Sequence, residues 1–76
     1  MKNTITVKNG DVIWFKLRGK NVDGFISIQA MVVSKFADNT LLAAEYDGQL
    51  YTVPLADIDQ INFAIVAKEN SVVYSG

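Results

Sequence analysis

Apolar and polar residues alternate with a period of two along most of this chain, the repeat of strands whose successive side chains face opposite ways. Residues 11–17 separate most cleanly. Ile13, Phe15 and Leu17 fall on one face, while Val12, Trp14, Lys16 and Arg18 fall on the other. Two cationic heads resist burial, so the Ile13 face is assigned to the core. Residues 25–35 give a second, longer strand, with Ile26, Ile28, Ala30 and Val32 on one face and Ser27 and Gln29 opposite. Its alternation blurs at Met31-Val32-Val33, as in a strand that bends and serves two sides of a barrel. Residues 41–46 form a third strand. A helical reading competes only at 31–36 and 41–46; both are short and either β-branched or bounded by turns, so it is rejected.

Turn chemistry punctuates these runs. Asn9-Gly10, the polar loop 19–24 and the turn 37–40 separate them. Asp47-Gly48 is a two-residue type I′ hairpin signal. It sets a register in which Tyr46 faces Gln49, Glu45 faces Leu50, Ala44 faces Tyr51 and Leu42 faces Val53. Opposite residues share a face, so Leu42, Ala44, Tyr51 and Val53 join the core. The stretch 45–55 reads as the element around which the other strands pair. Pro54 ends its second strand, having no ladder donor, and residues 55–58 suit one 3₁₀ turn. Residues 61–67 read as a last strand, apolar on both faces and therefore buried on both. Either Val72 to Tyr74 folds back over it or another subunit covers it. Residues 68–76 form an added edge strand or a tail.

Composition narrows the chemistry. The chain has 76 residues, half of them hydrophobic, with neither cysteine nor histidine. That size suits one domain. The missing residue types remove disulfides, zinc-finger spacings and the commonest general base. No run approaches the ~20 apolar residues of a membrane-spanning helix, and the alternating N-terminus is unlike a signal peptide. A cytoplasmic protein is the expectation. Charge is uneven: Lys2, Lys8, Lys16, Arg18 and Lys20 oppose Asp11 alone in residues 1–20, net +4, against net −5 over the remainder, where Lys35 and Lys68 meet seven carboxylates. Asp57 and Asp59 flank Ile58, but no Asp-x-Asp-x-Asp-Gly loop is present, so no calcium site is expected. The serines and threonines have no base partner, and the glycines are spaced as turns rather than as a phosphate cradle. Enzymatic activity, metals and cofactors are therefore not expected.

Gly10-Asp11-Val12 opening a strand, Gly19-Lys20 and then Gly24 before the next, and Tyr51-Thr52-Val53-Pro54-Leu55 before Ile58 together resemble the SH3-like and Tudor-like barrel families, including those with a KOW-type or Sm-like strand arrangement. The likeness covers residues 8–66. It implies an all-β fold: a small SH3-like barrel of about five or six strands, with one 3₁₀ turn before the last core strand. The domain would span 1–76, with its core at 8–67. The resemblance implies a binding module and carries over no functional residue. The peptide groove of Pro-rich-peptide binders and the aromatic cage of methyl-lysine readers have no counterpart here.

The candidate site is the polar face of the first long strand. If the second long strand pairs with it antiparallel, Phe25, Ser27 and Gln29 lie beside Trp14, Lys16 and Arg18. An aromatic residue among cations suits a protein hot spot or a stacked nucleic acid. The bland reading has Trp14 capping a barrel end beneath Lys16 and Arg18 through cation–π contact. Trp14, Lys16, Arg18 and Phe25 are the expected partner-binding residues. The leading expectation is a non-catalytic adaptor or inhibitor that binds a protein. A nucleic-acid-binding barrel is the alternative, disfavoured by a pI near 5.0. A self-assembling homo-oligomeric ring that binds a small ligand between subunits is the third.

Overall fold

A computed structural model describes residues 4–18, 24–36, 40–67 and 71–75. The expected loops at 19–23 and 37–39, residues 68–70, Gly76 and the Arg18 side chain lie outside the described residues. The chain runs β1 (Thr4–Val7), β2 (Val12–Arg18), β3 (Phe25–Lys35), β4 (Leu41–Tyr46), β5 (Gln49–Pro54), a 3₁₀ turn (Leu55–Asp57), β6 (Ile58–Ile61), β7 (Ala64–Ile65) and β8 (Ser71–Tyr74). The fold is all-β. A six-stranded antiparallel sheet has the order β5-β4-β3-β2-β6-β7, and β1 and β8 form a separate parallel pair. No sheet closes on itself among the described residues.

The core covers one face of the large sheet. Ile13 and Phe15 from β2, Ile28, Ala30 and Val32 from β3, Leu42 and Ala44 from β4, Val53 from β5, and Ile58 and Ile61 from β6 are all buried. In β2, β3 and β4 these recur at every second position; Ile58 and Ile61, three apart, share the face because the β2–β6 pairing shifts between them. Leu17 and Tyr51 are partly buried against this cluster, and Ile26, near the start of β3, is 47% exposed. Val7 of β1 and Tyr74 of β8 enter the same cluster. The core therefore extends beyond the expected 8–67 at both ends. Tyr74 is held in place by its hydroxyl, which donates to Asn9 Oδ1, and by the Lys35 ammonium 5.6 Å from its ring centroid.

Local chemistry explains the turns. The Asp11 N–H donates to the Lys8 carbonyl, and the Lys8 N–H donates to Asp11 Oδ2, closing the Asn9-Gly10 turn. Gly10 takes φ +90°, where an L side chain is disfavoured. At the β4–β5 hairpin both Asp47 and Gly48 have positive φ, and the pairing of Tyr46 with Gln49 through to Leu42 with Val53 has the expected register. The expected blur in β3 is a bulge: pairing with β4 shifts between Val32 and Ser34.

Two expectations are corrected. The β4–β5 hairpin is not the organising centre. It lies at one edge of the sheet, and β2 and β3 occupy the middle. Residues 61–67 are not one strand buried on both faces. The chain turns at Asn62-Phe63, both at positive φ (50° and 70°), and returns as the short edge strand β7. Phe63 and Ile65 are 67% and 79% exposed. Asn62 stabilises the reversal, its Oδ1 accepting from the Val12 N–H while its own N–H donates to the Val12 carbonyl.

Candidate functional site

The face of the large sheet opposite the core carries the expected site. On β2 it presents Val12, Trp14 and Lys16; β3 contributes Phe25, Ser27, Gln29 and Met31. Pairing across the sheet sets these in rows. Leu50, Glu45, Met31 and Val12 form one; Gln29, Trp14, Gln60 and Ile65 form the next; Ser27 and Lys16 follow. Phe25 is 66% exposed, Leu50 66% and Met31 46%. Phe25 and Met31 stand on β3 and Leu50 on β5, with Glu45 of β4 between Met31 and Leu50, so this face mixes exposed apolar and polar side chains.

Each expected site residue has a definite place. Trp14 is half-buried in the middle of this face, between Gln29 on β3 and Gln60 on β6. It does not cap a sheet end. The described cation–π pair joins Lys35 and Tyr74, not Trp14. The Trp14 indole Nε1 is buried without a hydrogen-bond partner. Lys16 is exposed and forms no ion pair among the described residues. The Arg18 backbone pairs with Phe25. Lys16 and Phe25 line a cleft of about 270 Å³ together with Asp57 and Asp59. Trp14 is not part of that cleft lining.

The two carboxylates were not foreseen as members of this site. Period-two counting puts Asp57, Asp59 and Ile61 on one face, and Ile61 belongs to the core. The pairing of β2 with β6 shifts between Trp14 and Phe15, passing from Gln60 to Ile58 and leaving Asp59 outside the ladder. This bulge breaks the count. Its effect on charge is direct, because among the described residues the cleft sets one lysine beside two aspartates. No group of three or more metal-ligating side chains occurs among the described residues. A larger cavity, about 530 Å³, opens at a sheet end between Leu41, Pro54, Leu55, Ile58, Val66 and Val72. Thr40 and Ser71 add hydroxyls to this otherwise apolar lining, and no acid or base side chain is among its described residues. No helix among the described residues is long and apolar enough to cross a membrane. No protein-family model, curated protein or solved structure matches the chain.

Proposed function

We propose that the chain is a non-catalytic binding module that docks a protein partner on the outer face of its large sheet. The observation that carries this reading is the exposure of Phe25, Met31 and Leu50 on the same sheet face as half-buried Trp14. Exposed apolar side chains suit the contact points of an interface, and Lys16, Asp57 and Asp59 suit its polar rim. Trp14 is the anchor type found at hot spots. A partner surface of this kind on a small domain suits an adaptor or inhibitor role, which we place in the cytoplasm. The proposed fold is a partly open SH3-like barrel. Bulges in β3 and between β2 and β6, and the 3₁₀ turn between β5 and β6, support that assignment.

Nucleic acid fits the same face less well. Phosphate affinity grows with the number of cationic contacts, and here Lys16 shares its cleft with two carboxylates. The test uses the folded chain as bait. A partner captured by the wild type is expected to be lost with Phe25→Ser and with Met31→Lys. It should be retained by Val73→Ser, a change on β8 away from this face. A single-stranded oligonucleotide should not bind even at low salt. Salt-sensitive oligonucleotide binding, or partner capture unaffected by both outer-face variants, would overturn the reading.

A further inference from the structure

We propose that two copies of this chain associate through β7, pairing edge to edge about a two-fold axis at Ile65. This goes beyond the docking face and does not rest on it. The hydrogen-bond pattern identifies the free groups. Ala64 pairs with Ile61, Ile65 with Gln60, and the Val66 N–H donates to the Asp59 carbonyl. Antiparallel ladders alternate between residues that exchange both bonds with the neighbour and residues that exchange none. Ile65 is one of the latter, so its N–H and C=O point away from β6. No strand lies beyond β7 among the described residues.

The chemistry of this edge favours a second copy. Residues 62–67, Asn-Phe-Ala-Ile-Val-Ala, carry no charge, no proline and no glycine. Natural edges are commonly guarded by such residues. The opposite edge is guarded: β5 ends in Pro54, which has no N–H, and Leu50 lies across from Glu45. Under a two-fold axis at Ile65, the backbone of each Ile65 bonds the other, and Ala64 of each copy falls opposite Val66 of the other. No like charges meet. Phe63 adds an independent indication. It holds φ +70° and is 67% exposed, so the isolated domain gives it neither a relaxed backbone nor burial. Strained positions of this sort cluster at functional surfaces.

The contact is small. Phe63 and Ile65 together offer on the order of a few hundred Å² per copy, below the ~800 Å² of a standard stable interface. Association should therefore depend on concentration. The test is sedimentation of the full chain over a concentration series, with circular dichroism to check the fold. The wild-type mass should rise from 8.4 kDa towards twice that value. Ile65→Pro removes the outward N–H without removing a bond to β6 and should remain monomeric throughout. Ile65→Lys, at a highly exposed position, should do the same and serves if the proline variant fails to fold. Leu50→Lys, on the other edge, should dimerise like the wild type. A wild-type mass that stays monomeric, or a dimer that survives in a folded Ile65 variant, would overturn the proposal. So would open-ended growth abolished by Leu50→Lys, which would mean head-to-tail pairing of β5 with β7. None of these results depends on partner capture through Phe25 and Met31, so failure of one proposal is distinguishable from failure of the other.

Discussion

Phe63 occupies a backbone position that glycine fills with less strain. The second central residue of a type I′ turn needs positive φ, and Asn-Gly is the preferred pair. Non-glycine residues there are disfavoured by about 1–2 kcal/mol, partly offset in a glycine variant by its greater unfolded-state freedom. Phe63→Gly should therefore raise stability by about 0.5–1 kcal/mol in urea unfolding. Asn62 does the reverse work. It tolerates positive φ and its Oδ1 accepts from the Val12 N–H, so Asn62→Ala should cost about 1–3 kcal/mol on the same measurement. The turn went unread because Asn62 is followed by an aromatic residue, and the apolar run 61–67 then looked continuous. Asp47-Gly48 was legible because both residues are of the type the turn demands. Alternation puts Trp14 and Lys16 on one face of β2, antiparallel pairing adds Phe25 beside them, and the bulge hid Asp59 from the count.

At the scale of elements, the least legible pairing is the parallel ladder of β1 with β8. Thr4 pairs with Ser71 and Val7 with Tyr74. Parallel partners need a long crossover, and here the whole large sheet intervenes. Neither segment carries a signal that names the other. Their joint contribution is nonetheless large, because Val7 and Tyr74 are both buried in the core. A chain truncated after Ala67 loses Tyr74 from that cluster and leaves β1 without its sheet partner. Deleting a buried large aromatic side chain typically costs about 3–5 kcal/mol, set against total stabilities of about 5–15 kcal/mol. The truncated chain is expected to melt at a clearly lower temperature than the full chain by circular dichroism. A cooperative melt like that of the full chain would show that β8 is dispensable.

For the whole molecule, the two faces of the large sheet differ: the inner face is buried in the core, and the outer face, which the proposal assigns to a partner, carries exposed Phe25, Met31 and Leu50. Met31→Lys and Leu50→Lys should each change stability by no more than about 0.5 kcal/mol, as surface substitutions usually do. Leu42→Ala, on the fully buried side, should cost about 2–5 kcal/mol. Parallel urea titrations of the three variants check this contrast. If the outer-face variants proved as costly as Leu42→Ala, that face would belong to the core and could not be a docking surface.

The sequence by itself determined β2, β3, β4 and β5, the core-facing side of β2, and the register of β4 with β5; it placed Phe25, Ser27 and Gln29 beside β2 only on the condition of antiparallel pairing, which the structure has. These follow from local causes: side-chain alternation and turn chemistry act within a few residues. The tertiary structure alone decided the pairing of the two ends of the chain, the bulge that frees Asp59, the reversal at Asn62-Phe63 and the open edge at β7. These depend on which distant strand supplies the backbone partners. A chain read residue by residue does not contain that information.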